Sequence, residues 1–156
     1  MSDAPIAARA FLGRGWSFPP TFERALRGVR MLEHEQDIAS SLELLLSTAA
    51  GERIMVPQYG CSLDDLVFEN LDTRMRTLLA DAIESAILYH EPRIDLERVL
   101  VGAEGPGAAL EGRVLIEVGY RVRATNSRFN FVYPYYRDEG TDLNLTTTVQ
   151  LLPDRP

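Results

Sequence analysis

The chain has 156 residues, of which 46% are hydrophobic and 25% charged, and its formal net charge is −7. This composition indicates one folded domain and argues against a disordered chain, and no apolar run approaches the roughly 20 residues that a membrane-spanning helix requires. The negative charge argues against nucleic acid and anionic membranes as partners, because both select basic surfaces.

Few residues suggest covalent chemistry or metal binding. Cys61 is the single cysteine, and His34 and His90 lack metal-site spacing. All sixteen basic residues are arginine, which suits bidentate interface contacts and is equally what a GC-rich genome produces. We therefore expect no catalytic residue, metal or cofactor. The first ten residues lack the features of a signal peptide, so we expect synthesis in the cytoplasm.

Residues 1–20 are predicted to form an extended N-terminal arm, because Gly13, Gly15, Pro19 and Pro20 interrupt any regular helix. Trp16 and Phe18 are its aromatic side chains. They either lie across the domain's own core or project as anchors into a neighbouring protein.

The next segment alternates short strands and helices. A strand is predicted at Gly28–Leu32, and acidic residues then precede a helix whose apolar stripe includes Ile38 and Leu42, with Gly51 as its left-handed cap. A brief strand at Ile54–Val56 and a short helix at Leu63–Phe68 follow.

A second, longer helix is predicted from Asp72 to about Tyr89, because apolar residues recur there every three or four positions. Pro92 cannot continue it. Glu91 and Arg93 flank this turn with opposite charges, which suits the pinning of a helix end or a contact with a partner.

The second half of the chain alternates with a period of two and predicts a three-stranded antiparallel meander. Its strands are Ile94–Val101, Val114–Val122 and Phe129–Tyr135. Arg121 and Arg123 share one face, which is either solvated or receives an acidic partner. Pro134 lacks the donor that a central strand needs and is expected at an edge.

The tail, residues 140–156, is predicted to be a C-terminal strand extension. One face of the strand carries Leu143, Leu145, Thr147, Val149 and Leu151. No lysine or internal proline blunts it, so it either closes the domain's own sheet or pairs with another chain. The predicted fold is a single α+β domain over residues 1–156, with two main helices packed on an antiparallel sheet of three to five strands.

Several motifs together resemble the baseplate wedge and sheath-initiator family of contractile injection machines, found in phage tails, phage-tail-like bacteriocins, type VI secretion systems and extracellular injection systems. The match runs from Phe11 to about Tyr136. It rests on the order and spacing of these segments: 13–20, 35–38, 46–48, 51–53, 57–61, 67–69, Glu91-Pro92-Arg93 and 133–136.

The resemblance implies a structural protein, present in several copies, that joins wedge subunits and inner-tube or hub proteins to the first sheath ring and initiates sheath assembly by strand addition. Such a protein becomes part of a phage tail or a released injection particle. The expected interface residues are Glu91, Pro92, Arg93, Trp16, Phe18, Arg121, Arg123, Phe131, Tyr133, Tyr135, Leu143, Leu145, Thr147 and Val149. Deletion of residues 141–156 is expected to abolish co-purification with sheath.

Two alternatives to this interpretation remain. The family has carried a lysozyme label, but a glycosidase needs two carboxyl groups across a cleft with one in an apolar pocket, and neither the acids near residue 35 nor Glu91 beside Arg93 fits that description. The same fold class also serves as a regulatory anti-adaptor, which would form a one-to-one complex with a signalling protein.

Overall fold

The computed structural model describes residues 13–25, 27–63, 72–102, 113–136 and 149–151. These residues form eight strands and two helices of an α+β fold. In chain order they are β1 (Arg14–Trp16), β2 (Phe22–Glu23), β3 (Gly28–Val29), β4 (Met31–Glu33), α1 (Glu35–Ser47), α2 (Thr73–His90), β5 (Ile94–Gly102), β6 (Arg113–Val122), β7 (Arg128–Tyr136) and β8 (Val149–Leu151). None of the described helices has the length and apolar content of a bilayer span.

The first four strands form one long, interrupted β-hairpin, which we call the N-terminal hairpin (residues 14–33). Strand β1 pairs antiparallel with β4, and β2 with β3. Between these pairs, the Arg30 N–H donates to the Thr21 carbonyl (2.8 Å) and the Arg30 carbonyl accepts from the Ser17 N–H (3.0 Å). The predicted single strand Gly28–Leu32 is therefore two short strands that meet at Arg30.

Both predicted main helices are present. Helix α1 buries one apolar stripe, formed by Ile38, Ala39, Leu42, Leu45 and Leu46. It ends at Ser47, so Gly51 is not its cap; the prediction was wrong, and Gly51 takes its positive φ of 88° in the following turn. Helix α2 begins after Asp72, whose carboxylate accepts from the Met75 N–H at 2.8 Å, and it ends at His90 as the proline predicted.

The strand predicted at Ile54–Val56 is not formed. These residues lie in a turn-rich segment where the side chains of Ile54 and Met55 are almost fully exposed. An isolated short apolar run has no sheet neighbour here to pair with, which is why its composition misled the prediction. The predicted helix Leu63–Phe68 lies outside the described residues from position 64 onward.

The main sheet has four antiparallel strands in the order β5-β6-β7-β8. One face packs against both helices, because alternate residues of β6 point into the same core as the helical stripes. Within β5, Glu97 has no partner on β6, so the strand bulges between Leu96 and Arg98. The predicted layout of two helices on an antiparallel sheet is observed, whereas the two separate two-stranded sheets of the hairpin were not predicted.

The described part of the tail closes the domain's own sheet. Val149, Gln150 and Leu151 of β8 pair with Phe131, Asn130 and Phe129 of β7. Of the two alternatives for the tail, this segment follows the first, while Leu143, Leu145 and Thr147 lie outside the described residues. Pro134 pairs with Leu115 of β6 on one side, and no described strand lies on its other side, as expected for an edge position.

Candidate protein-interaction site

Glu91 and Arg93 form a bidentate ion pair at the corner between α2 and β5. The Arg93 Nε donates to Glu91 Oε1 at 2.5 Å and its Nη2 to Oε2 at 2.6 Å. Only 3% of Glu91 is exposed. Pro92 stops the helix between them, so the two side chains leave the turn on the same side and meet. The role of this triad in fixing the corner remains a prediction.

The same arginine also reaches the start of α1. Its Nη1 donates to Asp37 Oδ2 at 2.5 Å, and Asp37 lies in the first helical turn, where the helix dipole stabilises a carboxylate. Gly15 of β1 packs directly against this carboxylate, since a Cβ at position 15 would overlap Asp37 Oδ1. Three distant segments of the chain therefore meet at one ion cluster, Asp37–Glu91–Arg93.

The cluster keeps its charges in a largely water-excluded setting. The pKa of the Arg93 guanidinium is raised above its ordinary value, mainly because Arg93 donates hydrogen bonds to Glu91. Asp37 raises this pKa further, whereas burial lowers it. Tyr120 of β6 is buried nearby. Its pKa is raised mainly by burial, with smaller contributions from Glu35 and Glu91. Removing one partner of such a buried set leaves an uncompensated charge, which typically costs about 3–5 kcal/mol.

The loop after α1 braces the C-terminal end of α2. Gln58 accepts a hydrogen bond through its carbonyl at 2.9 Å from His90 Nε2, and the Tyr59 ring lies 5.1 Å from the His90 ring. The guanidinium of Arg53 stacks 4.1 Å above the Tyr59 ring. Gly60 is required in this loop, because it has φ 118° and a Cβ there would overlap the Thr48 carbonyl.

This arrangement suits architecture more than proton transfer. Both oxygens of Glu91 accept from Arg93, so this carboxylate is not poised to protonate a substrate. Burial raises the pKa of Cys61 to about 11, which keeps the thiol protonated and unreactive at neutral pH. Among the described residues, no three His, Cys, Asp or Glu side chains gather into a group that could hold a metal ion.

The second feature is the outer edge of β5. This strand pairs only with β6, and no described residue forms a backbone hydrogen bond with the opposite side of residues 95–102. Beside its first residues lies an open groove of about 190 Å³ between α2 and β5. Its apolar lining comes from Ile87, Leu88, Ile94 and Leu96, and its charged rim from Glu84, Asp95 and Arg123.

Arg121, on β6, and Arg123, just beyond the end of this strand, share one acid. Arg123 Nε donates to Asp95 Oδ1 at 2.7 Å, and Arg121 Nη2 donates to Asp95 Oδ2 at 3.3 Å. One carboxylate thus serves two guanidinium groups. Their predicted contact with an acidic partner remains a prediction.

The other predicted interface residues divide by exposure. Phe131 is fully buried, and Tyr133 and Tyr135 pack against the core, so any part that they take in strand pairing involves their backbone groups. Trp16 and Phe18 are largely exposed and do not lie across the core, which favours the anchor alternative. Sequence reasoning missed that Asp37 belongs to the ion cluster and that Gly15 packs against it. The spacing of Gly13 and Gly15 was a signal of a close approach of the backbone in this segment.

The part of the chain that contains this cluster matches a known protein family. The family described as "Baseplate wedge protein gp25" matches residues 32–127, which include Asp37, Glu91 and Arg93. The chain belongs to this baseplate wedge family. The baseplate wedge protein gp25 of Enterobacteria phage T4 is 38% identical over 60 residues, which are 38% of this chain. The chain spans about half the length of that relative, since the match covers 46% of it.

Three solved structures resemble this baseplate wedge protein. A Geobacter sulfurreducens crystal structure, provisionally named a tail lysozyme, has a TM-score of 0.60 and 45% identity and covers 69% of this chain and 94% of its own. A chain in the baseplate of the anti-feeding prophage has a TM-score of 0.60 at 27% identity, and the match covers 86% of this chain and 94% of that one. A chain of the type VI secretion baseplate complex shares the fold, with a TM-score of 0.54 at 16% identity and coverage of 65% and 92%.

Proposed function

We propose that this wedge protein initiates the sheath of a contractile injection machine by accepting extended strands from sheath subunits at an open margin of its main sheet. The observation that supports this most is the outer edge of β5, which no described strand pairs with and which lies beside a partly apolar groove. Strand addition uses two features together: backbone ladder hydrogen bonds supply affinity, and a pocket for alternate side chains supplies selectivity.

The two margins of the sheet differ in how open they are. On the β7 side, β8 covers Phe129–Phe131. On the β5 side, no described strand pairs with the outer side of residues 95–102, and this stretch lies directly beside the groove. We therefore assign the first sheath contact to β5, and keep the predicted pairing at the Phe129–Tyr136 strand and the tail as a second contact.

The ion cluster Asp37–Glu91–Arg93 has a supporting role in this proposal. It fixes the angle at which β5 leaves α2, because Glu91 caps the helix end through its N–H to the Ile87 carbonyl and also pairs with Arg93. A rigid corner holds the strand edge ready for pairing and lowers the ordering cost of binding. The wedge neighbours and hub proteins would contact other faces of the domain.

A matched pair of leucine variants tests the proposal. Leu88 lines the groove and Leu78 lies on the same helix about 15 Å away, and both are exposed. Leu88→Lys combined with Leu100→Lys on β5 is expected to reduce recovery of sheath with the tagged protein at least tenfold, while recovery of wedge subunits is unchanged. Leu78→Lys is expected to retain both. Sheath recovery that survives in the groove variant contradicts the assignment to β5.

The lysozyme alternative has a direct assay. The purified protein is expected to leave the turbidity of a peptidoglycan suspension unchanged. Clearing of the suspension that is lost in Glu91→Gln would favour the enzymatic interpretation instead. The regulatory alternative predicts a one-to-one complex with a signalling protein and no incorporation into particles.

A further inference from the structure

The N-terminal hairpin carries a charge opposite in sign to that of the whole chain. It contains four arginines and two glutamates, whereas the chain has a net charge of −7. Arg14 pairs with Glu33 at 2.8 Å. Arg24, Arg27 and Arg30 are exposed, and none of them forms an ion pair with a described residue. Among the described residues, the hairpin therefore presents three exposed guanidinium groups without an ion-pair partner on an acidic protein.

The hairpin also carries three aromatic side chains that are largely exposed. Trp16 exposes 63% of its surface and Phe22 74%, and Phe18 is similarly exposed. Trp16 lies directly opposite Met31 in the β1–β4 pair, so these two side chains share one face of the hairpin. Large aromatic residues beside arginine are the residue types that dominate the energetics of protein interfaces.

Local hydrogen bonds hold this apolar surface in shape. The segment Phe18-Pro19-Pro20 lies between Ser17 and Thr21, the two residues whose backbone groups form hydrogen bonds with Arg30. The hydroxyls of Ser17 and Thr21 both donate to the Pro19 carbonyl, at 3.4 and 3.3 Å. These contacts restrict the conformations of the segment, and such restriction before binding lowers the entropic cost of docking.

The base of the hairpin is fixed to the body through Gly15, which packs on the Asp37 carboxylate of the ion cluster. The family match begins at residue 32, so almost all of the hairpin lies outside it.

We propose that the N-terminal hairpin is a second docking surface, whose partner is an acidic protein surface with an apolar recess that receives Trp16, Phe18 and Phe22. Carboxylates of the partner pair with Arg24, Arg27 and Arg30. Nucleic acid and anionic membranes would also suit arginine beside aromatic residues, but the net charge of −7 repels both. The proposal is independent of strand addition at β5, because it concerns a different surface and a different partner chemistry.

The absence of lysine from the chain makes a sharp experiment possible. In Arg27→Lys, the introduced lysine supplies the single side-chain amine. A water-soluble carbodiimide then activates a carboxylate in direct contact with this amine, the amine displaces the activated group to form an amide, and the carbodiimide leaves as its urea. The matched control is Arg74→Lys on the first turn of α2, because Arg74 is also exposed and unpaired among the described residues. The tagged variants are cross-linked in extracts of the native host, and the linked peptides are identified by mass spectrometry.

The expected result is at least tenfold more cross-linked product from Arg27→Lys than from Arg74→Lys, with the link to an aspartate or glutamate of another protein. Charge reversal of the two remaining exposed hairpin arginines in this variant, Arg24→Glu with Arg30→Glu, is expected to reduce the product at least tenfold. Equal products from position 27 and position 74, or no product from lysine at any of positions 24, 27 and 30, would overturn the proposal.

Other occupants give different results in the same set of measurements. A link to a second copy of this chain would assign the hairpin to self-association. Hairpin-dependent binding to a 20-nucleotide single strand, or to vesicles with 30% phosphatidylserine, would assign it to nucleic acid or membrane. Each of these results would contradict the proposal that the partner is an acidic surface of a different protein. A specific link to a protein outside the baseplate would support the docking proposal while it contradicts the proposed function.

Discussion

The helix–sheet body and the N-terminal hairpin use aromatic side chains in opposite ways. In the body, Tyr120 and Phe131 are fully buried and belong to the core against which both helices pack. In the hairpin, Trp16 and Phe22 expose most of their surface. The comparison indicates that apolar surface in the body specifies the fold, whereas apolar surface in the hairpin is left exposed by the described residues, which is the property on which its proposed docking role rests.

The largest difference between the two regions is expected from paired phenylalanine variants. Phe131→Ala is expected to lower the free energy of unfolding by about 3–5 kcal/mol, because it leaves a cavity in the core. Phe22→Ala is expected to change it by less than about 0.5 kcal/mol. Urea unfolding of both variants measures this directly, and losses of similar size would mean that the hairpin is part of the core.

The ion cluster that joins the two regions gives the next largest effect. Arg93→Ala leaves the buried Glu91 without its partner and is expected to cost about 3–4 kcal/mol in urea unfolding. The matched control is Arg128→Ala, which breaks an exposed pair with Glu97 at 3.0 Å and is expected to cost less than about 1 kcal/mol. If both variants lose the same stability, the cluster does not fix the corner.

Burial in the body also predicts a dependence of stability on alkaline pH. Burial raises the pKa of Cys61 from 9.0 to about 11, so the folded state favours the protonated thiol. The resulting stability is present below pH 9 and is lost as the pH rises through 11, by at most about 2–3 kcal/mol. Relative to Cys61→Ala, the wild type is therefore expected to lose more stability between pH 8.5 and 11.5. Parallel curves would contradict the burial of the thiol.

The smallest expected effect comes from a variant that weakens the attachment of the hairpin to the body. Gly15→Ala places a Cβ against the Asp37 carboxylate and is expected to cost about 1–2 kcal/mol. Amide hydrogen exchange at Ser17 and Arg30 should accelerate, because the base of the hairpin loosens. Gly102→Ala is the control, since no atom lies within 4 Å of its added Cβ. Unchanged exchange at Ser17 in Gly15→Ala would show that the cluster does not anchor the hairpin.

The sequence predicted the elements whose periodicity is long and uniform. Helix α2 and strands β5, β6 and β7 follow the expected boundaries closely, because each repeats one pattern over nine residues or more. The short run Ile54–Val56 was wrong as a strand, since three apolar residues do not determine whether a sheet neighbour exists. Gly51 has the predicted positive φ but in a different turn, because a glycine signals a conformation and not a specific cap.

The candidate site was only half visible in the sequence. The charges of Glu91 and Arg93 on either side of Pro92 predicted a corner, but pairing with Asp37 spans 56 positions and depends on how α1 packs. The bulge at Glu97 and the groove beside β5 are likewise tertiary features, since neither leaves a local pattern. The exposure of Trp16 followed from neither composition nor spacing, and it required the packed body for comparison.

The central claim is that the outer edge of β5 receives a strand from the sheath, and hydrogen exchange of the β5 amides tests it most directly. The measurement compares the protein alone with the protein bound to purified sheath subunits. We expect slower exchange by at least tenfold for the outward-facing amides of residues 95–102, with unchanged exchange in α1. Stable sheath binding without any added protection in β5 would contradict the account.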